Sequence, residues 1–214
     1  MRPPVLGVIL AGGLARRMGG GDKALLPLGA GTLLDAVIDR LAPQVEALVL
    51  NANGDPARFA RFGLEVVADP VADFPGPLAG VLAGMEAAAR REPPLPWVVS
   101  VAADTPFFPR DLVARFLDAV ESQGAELACA ASAGRTHPVF GLWPTRLLGA
   151  LRRALVEGGQ RKIDAWTARY RVAVVDWPAE PFDPFFNVNT PTELEEAARL
   201  EKASLHAAGA DAKP

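Results

Sequence analysis

Val5-Leu6-Gly7-Val8-Ile9-Leu10-Ala11-Gly12-Gly13-Leu14-Ala15-Arg16-Arg17-Met18-Gly19-Gly20-Gly21-Asp22-Lys23 begins as an apolar run and turns into a glycine-rich, basic loop. The unbroken apolar stretch Val5–Leu10 reads as a central parallel strand, covered on both faces. Glycines without a Cβ let backbone N–H groups approach an anion, while Arg16, Arg17 and Lys23 bring positive charge. That combination suits a polyphosphate. It is not a Walker A loop, because Lys23 follows Asp22 and precedes Ala24, and the Gly-x-Gly-x-x-Gly spacing of a dinucleotide fold is missing. A tight turn with solvated charges is the competing reading.

Downstream of this loop, strand and helix patterns alternate. Thr32–Leu41 has helical spacing, with Leu33, Leu34, Val37, Ile38 and Leu41 on one side and Thr32 as N-cap. Ala47–Asn51 and Leu64–Ala68 read as strands around a short polar helix near Pro56–Phe62. Leu78–Arg91 reads as a helix stopped by Pro93, Pro94 and Pro96, and Trp97–Ala102 as another buried strand. A helix after Pro109 to about Gln123 leads to strands near Leu127–Ala131 and His137–Trp143. Helices over Thr145–Glu157 and Lys162–Tyr170 follow, then a strand at Val172–Asp176. Beyond the loop marked by Pro178, Pro181 and Pro184, Thr190 caps a C-terminal helix with Glu193 three residues on. The pattern fades from Ala203. The expected organisation is one domain over residues 1–202 and a frayed tail over 203–214. Repeated β-α-β order implies an α/β fold, a mostly parallel sheet with helices on both faces and ligands beyond the carboxyl ends of its strands.

The 214 residues, half of them apolar, supply ample core without disulfide or structural metal. A net charge of −3 gives no sign of nucleic-acid binding. Cys129 is the single cysteine; it reads as a small buried hydrophobe in a reducing compartment rather than a catalytic thiol. No stretch approaches the ~18 apolar residues that span a bilayer, nor is an export signal visible, so a soluble cytoplasmic protein is expected.

Polar residues stand where the strands stop: Gly12-Gly13, Asn51-Ala52-Asn53, Asp69 and Asp104-Thr105-Pro106. Each alone reads as a turn residue or cap. Together, around a phosphate loop, an amide and two carboxylates can bond a base and ribose and hold a metal. Asp104, directly after a buried strand, is placed to coordinate Mg2+ between phosphate oxygens. Capping the helix after Pro109 is its structural alternative.

These segments resemble the molybdenum cofactor guanylyltransferases of MobA type, within the superfamily of nucleotide-diphospho-sugar-transferase-like nucleotidyltransferases. The resemblance runs from Val5 to about Arg199. It is carried by Leu10–Gly13, Ala15–Gly19, Asp22-Lys23, Asn51-Ala52-Asn53, Pro75–Gly80, Asp104-Thr105-Pro106, His137-Pro138 and Asn187-Val188-Asn189-Thr190-Pro191. It implies a three-layer α/β/α fold with a Rossmann-like sheet. It also implies GMP transfer from GTP to the terminal phosphate of molybdopterin-bound molybdenum cofactor, with release of pyrophosphate. By resemblance Leu10, Ala11 and Gly12 contact the nucleotide, Lys23 its phosphates, Asn51 and Asp69 the nucleotide, and Asp104 both Mg2+ and nucleotide. Gly13 and Arg17 lie in the same signature loop and shape or neutralise the phosphate pocket. Transient contact with cofactor donors or recipient molybdoenzymes fits such a pathway; nucleic acid and membranes do not.

A phosphate monoester is ionised near neutral pH, so it needs no protein base. Catalysis would consist of alignment, metal and preorganised charge, with Lys23, Asp104 and Arg17 as the catalytic set. His137 reads more readily as structural than catalytic. Asn187 and Asn189 read equally as a turn with a cap or as part of the acceptor site. Arg161-Lys162 reads as a solvated helix terminus, or as a dock for the anionic pterin. Cytidylyl transfer, transfer to a sugar phosphate, or a nucleotide-binding adaptor without turnover are the alternatives.

Overall fold

The computed structural model describes residues 2–12, 21–71 and 76–210, with side chains through residue 203. A seven-stranded sheet organises the chain. Its strands are β1 (Val5–Leu10), β4 (Ala47–Asn51), β5 (Glu65–Val67), β6 (Trp97–Ala102), β7 (Leu127–Ser132), β8 (Arg135–Pro144) and β9 (Val172–Trp177). Their spatial order is β5-β4-β1-β6-β8-β7-β9. All run in one direction except β8, which pairs antiparallel with both β6 and β7. A small hairpin, β2 (Pro27–Leu28) and β3 (Gly31–Thr32), stands apart and has no counterpart in the sequence reading.

Two apolar layers sandwich the sheet. On one face α1 (Leu33–Leu41) and α3 (Leu112–Gln123) bury Leu34, Val37, Leu41, Phe116 and Val120. On the other, α2 (Pro77–Ala89), α4 (Leu148–Val156) and α5 (Ile163–Thr167) bury Leu78, Val81, Leu82, Leu151 and Trp166. Helix α1 begins at the expected residue because Thr32 and Asp35 form a reciprocal capping box. The expected three-layer α/β/α architecture is present.

Several boundaries move. Pro56–Phe62 and Thr145–Leu147 are 3-10 turns rather than α-helix, and α5 is shorter than Lys162–Tyr170. Helix α6 (Pro191–Ala210) continues seven residues beyond Ala203, where the sequence pattern fades. Alanine at 203, 207, 208 and 210 favours helix intrinsically, and an apolar face is not required for that. At its start Thr190 Oγ1 accepts from Glu193 N (3.2 Å), while Glu193 Oε2 accepts from Asn189 N (2.7 Å). The reciprocal bond therefore closes one residue earlier than a simple capping box. Among the described residues no helix is long and apolar enough to cross a membrane.

Candidate active site

Because β8 runs against its neighbours, its first residues lie at the same sheet edge as the last residues of β6 and β7. That edge holds a cleft of about 560 Å3 with two unlike walls. A larger hollow, about 940 Å3, lies at the opposite edge around Arg2, Glu46 and Arg110. There Arg2 and Arg110 are taken up by ion pairs with Asp118 and Asp39, so the hollow offers less convergent chemistry.

The first wall consists of Leu10, Gly12, Asn51, Asn53, Asp69, Gly76 and Pro77. Asp69 is gripped by two amides: Asn51 Nδ2 donates to Oδ1 (3.0 Å) and Asn53 Nδ2 to Oδ2 (2.7 Å), while Asp69 N donates to Asn53 Oδ1 (2.9 Å). Asn51 Nδ2 also donates to Val67 O at 3.1 Å, so the side chain is fixed. Helix α2 crosses directly over it at Gly80, where a Cβ would overlap Asn51 Oδ1. Gly76, the N-cap of α2, has φ 152° and ψ 163°, backbone that glycine alone adopts without strain. The N-terminus of α2 therefore opens on the cleft, an arrangement that favours an anion.

Asp104 joins the two walls at the end of β6. Lys23, only 8% exposed, places its Nζ 2.6 Å from Asp104 Oδ2 and 2.6 Å from Asn189 Oδ1. Val188 N donates to Asp104 O (2.9 Å), and Thr105 Oγ1 donates to Asn187 Oδ1. Asp104 does not cap α3; that place belongs to Asp111.

The second wall is Thr136–Phe140, Phe185 and Asn187. His137 stacks on Phe185 with centroids 4.6 Å apart. Its Nε2 is 2.7 Å from Ser132 Oγ, which is also 2.7 Å from Asp183 Oδ1. Burial holds the His137 imidazole below its ordinary pKa; Asp183 opposes this and Arg135 adds to it. Burial pushes the Asp183 carboxyl up, but the Ser132 hydroxyl, the Phe185 amide, His137 and Arg135 outweigh it and hold the group low.

The structure thus brings Leu10, Gly12, Asn51, Asp69 and Asp104 into one cleft, with Lys23 bonded to Asp104. Ala11 is buried and does not line it; its amide donates to Asn51 O (2.9 Å), holding the strand ends together. Gly13, Arg16 and Arg17 lie outside the described residues. Arg161 and Lys162 are exposed, and the Arg161 carbonyl adjoins Gly76 at the cleft rim. Cys129 is half-buried rather than buried, and lies beside an irregularity in the β7–β8 register. Burial still pushes its thiol up to about 11, which suits an unreactive side chain. Of the second wall the sequence points to His137, Pro138 and Asn187; Val139 and Phe140 look like ordinary strand core, and the reversal of β8 brings them to this edge.

A cleft at the carboxyl edge, floored by a lysine–carboxylate pair and flanked by a helix N-terminus, is chemistry for a nucleotide, and similarity to known proteins agrees. A model of the MobA-like NTP transferase domain matches residues 7–174. The chain belongs to this family. It is 59% identical over 198 residues to the molybdenum cofactor guanylyltransferase of Rhodopseudomonas palustris, covering 92% of this chain and 94% of that protein. It is 58% identical to the enzyme of the same name from Nitrobacter hamburgensis, covering 92% and 95%. In fold it is similar to molybdopterin-guanine dinucleotide biosynthesis protein A from Archaeoglobus fulgidus, with TM-score 0.72, 23% identity, and 92% and 99% of the two chains covered. It also shares its fold with 4-diphosphocytidyl-2C-methyl-D-erythritol synthase from Anaerococcus prevotii, with TM-score 0.71, 10% identity, and 94% and 96% covered.

Proposed function

We propose that the protein transfers GMP from GTP to the phosphate of molybdopterin-bound molybdenum cofactor, forming the guanine dinucleotide and releasing pyrophosphate. The observation that carries the reading is the meeting of Lys23, Asp104 and Asn189 at 2.6 Å beside a cleft walled by Asn51, Asn53 and Asp69.

Leu10 and Gly12 face the nucleotide from the first turn, Ala11 holds the strand ends behind them, Gly13 belongs to the phosphate loop by resemblance, and the Asn51–Asp69–Asn53 wall offers fixed hydrogen-bonding edges for base and ribose. Lys23 and Arg17 offset phosphate charge and stabilise the charge that develops on the departing pyrophosphate. Lys23 is held ready by two oxygens, so it pays little reorganisation when phosphate oxygens replace them. Two anions must approach each other here, and alignment with preorganised charge does most of the work.

Mg2+ fits this donor set. Among the described residues no three His, Cys, Asp or Glu side chains cluster to cage a metal. A single carboxylate, Asp104, at the cleft between its two walls suits an ion that takes one or two carboxylates and completes its shell with phosphate oxygens and water. When bound, Mg2+ would neutralise phosphate charge as a Lewis acid. Asn189 accepts a hydrogen bond from Lys23 and is not a second anionic ligand. A cytoplasmic setting, and brief contact with cofactor donors or recipient molybdoenzymes, belong to the same proposal.

The test is thermal unfolding with each nucleoside triphosphate and Mg2+, followed by a pyrophosphate-release assay with loaded cofactor. GTP is expected to raise the Tm and CTP to leave it unchanged. A CTP-selective shift, or GTP binding without pyrophosphate release, overturns the reading in favour of a cytidylyl enzyme or an adaptor respectively.

A further inference from the structure

Ser132 is completely buried at the end of β7, yet its hydroxyl touches two titratable groups. A hydroxyl has one proton to give. Asp183, held as a carboxylate, can only accept, so Ser132 Oγ donates to Asp183 Oδ1 and must accept from His137 Nε2–H. The proton positions along Asp183–Ser132–His137 are therefore fixed by counting. Asp183 Oδ1 also accepts from Phe185 N at 2.9 Å. One carboxylate thus pins the His137 ring and the backbone of the aromatic residue on which it stacks.

The same carboxylate begins the segment that delivers Asn187 and Asn189. At the far end of that segment Val188 N is tied to Asp104 O, and Asn189 to Lys23. The second wall is suspended between two anchors: Asp183–Ser132 on one side and Asp104–Lys23 on the other. The opposite wall, with Asn51, Asn53 and Asp69, shares no hydrogen bond with Asp183 or Ser132 among the described residues.

We propose that Asp183 and Ser132 are positioning residues for the acceptor substrate, holding His137 and Phe185 in the wall that aligns the phosphate-bearing heterocycle while the nucleotide occupies the other wall. The inference rests on the functional reading above. Neither residue touches substrate; each acts through the wall it holds.

The experiment measures KM for GTP and for the loaded cofactor separately in Ser132→Ala, Asp183→Ala, Asp183→Asn and the Ser132→Ala/Asp183→Ala double variant. Loss of a hydrogen bond that sets geometry is expected to raise the acceptor KM about tenfold. The GTP KM and the Tm rise with GTP and Mg2+ stay within twofold of wild type. Asp183→Asn keeps an oxygen that accepts from Ser132 and Phe185, so its acceptor KM falls between wild type and Asp183→Ala. The double variant is no worse than Asp183→Ala, because both act as one unit. An equal rise in both KM values, additive single effects, or an unchanged acceptor KM overturns the proposal. Absence of a GTP-dependent Tm rise in the wild-type protein instead overturns the nucleotide reading.

Discussion

Lys23 lies 81 positions from Asp104 and 166 from Asn189, and touches both. No spacing rule reveals such a meeting; Lys23 stands out in the phosphate loop and Asp104 at a strand end, and the resemblance gives both the same roles, while Asn189 is balanced between cap and site. It proves to be neither alternative alone, since its backbone belongs to the cap of α6 and its side chain holds the lysine. Lys23→Ala removes the donor from two oxygens, and Asp104→Ala removes the carboxylate from the cleft. Each is expected to cost about 1–3 kcal/mol of stability and to lower turnover about 10²–10³-fold, with the far-UV circular dichroism unchanged. Pyrophosphate release near the wild-type rate in both variants would contradict their assigned roles. Ser132 and Asp183 escaped notice for an ordinary reason: one ends an apolar run that reads as core, and the other sits among prolines that read as a turn.

At the level of elements, the buried strands declare themselves because parallel strands covered on both faces are continuous apolar runs. Val5–Leu10, Ala47–Asn51 and Trp97–Ala102 have the boundaries their residues suggest. Direction is another matter. His137–Trp143 would look the same in either orientation, and its reversal is decided by a connection of only two residues, Ala133-Gly134, where both take positive φ. Helix α2 supplies a test of how closely element and site are joined. A glycine-to-alanine change inside a helix ordinarily adds about 0.5–1 kcal/mol of stability. Gly80→Ala is expected to do the opposite, because the new methyl displaces Asn51, which holds Asp69. Calorimetry should show a lower Tm and a smaller rise with GTP and Mg2+; a stabilised variant with full nucleotide response would disprove the contact.

Across the whole molecule, pH response follows from groups whose folded pKa is displaced. His137 and Asp183 are lowered, so the unfolded chain binds more protons between the two values and stability rises with pH there. Their contributions are complete above the unfolded values, near 6.5 and 3.8, and fade as pH falls through the lower folded ones. Cys129 has the opposite sign: raised from 9.0 to about 11, it favours the fold below 9 and loses that advantage as pH climbs through 11. A plot of Tm against pH should therefore decline on both sides of a neutral plateau. In Cys129→Ala the alkaline decline should be shallower and the acid one unaltered; identical alkaline limbs would exclude the thiol as a cause.

The lone reversed strand has one more consequence. The Asn51–Asp69 wall comes from the chain before residue 80, whereas the aromatic wall comes from segments after residue 130, and its Thr136–Phe140 part reaches the cleft because β8 runs backwards between its neighbours. If the two walls take acceptor and nucleotide as proposed, selectivity for the molecule that receives the nucleotide is heritable apart from selectivity for the nucleotide itself. Grafting the turn into β8 and the stretch between β9 and α6 from a relative should exchange one preference and leave the other in place.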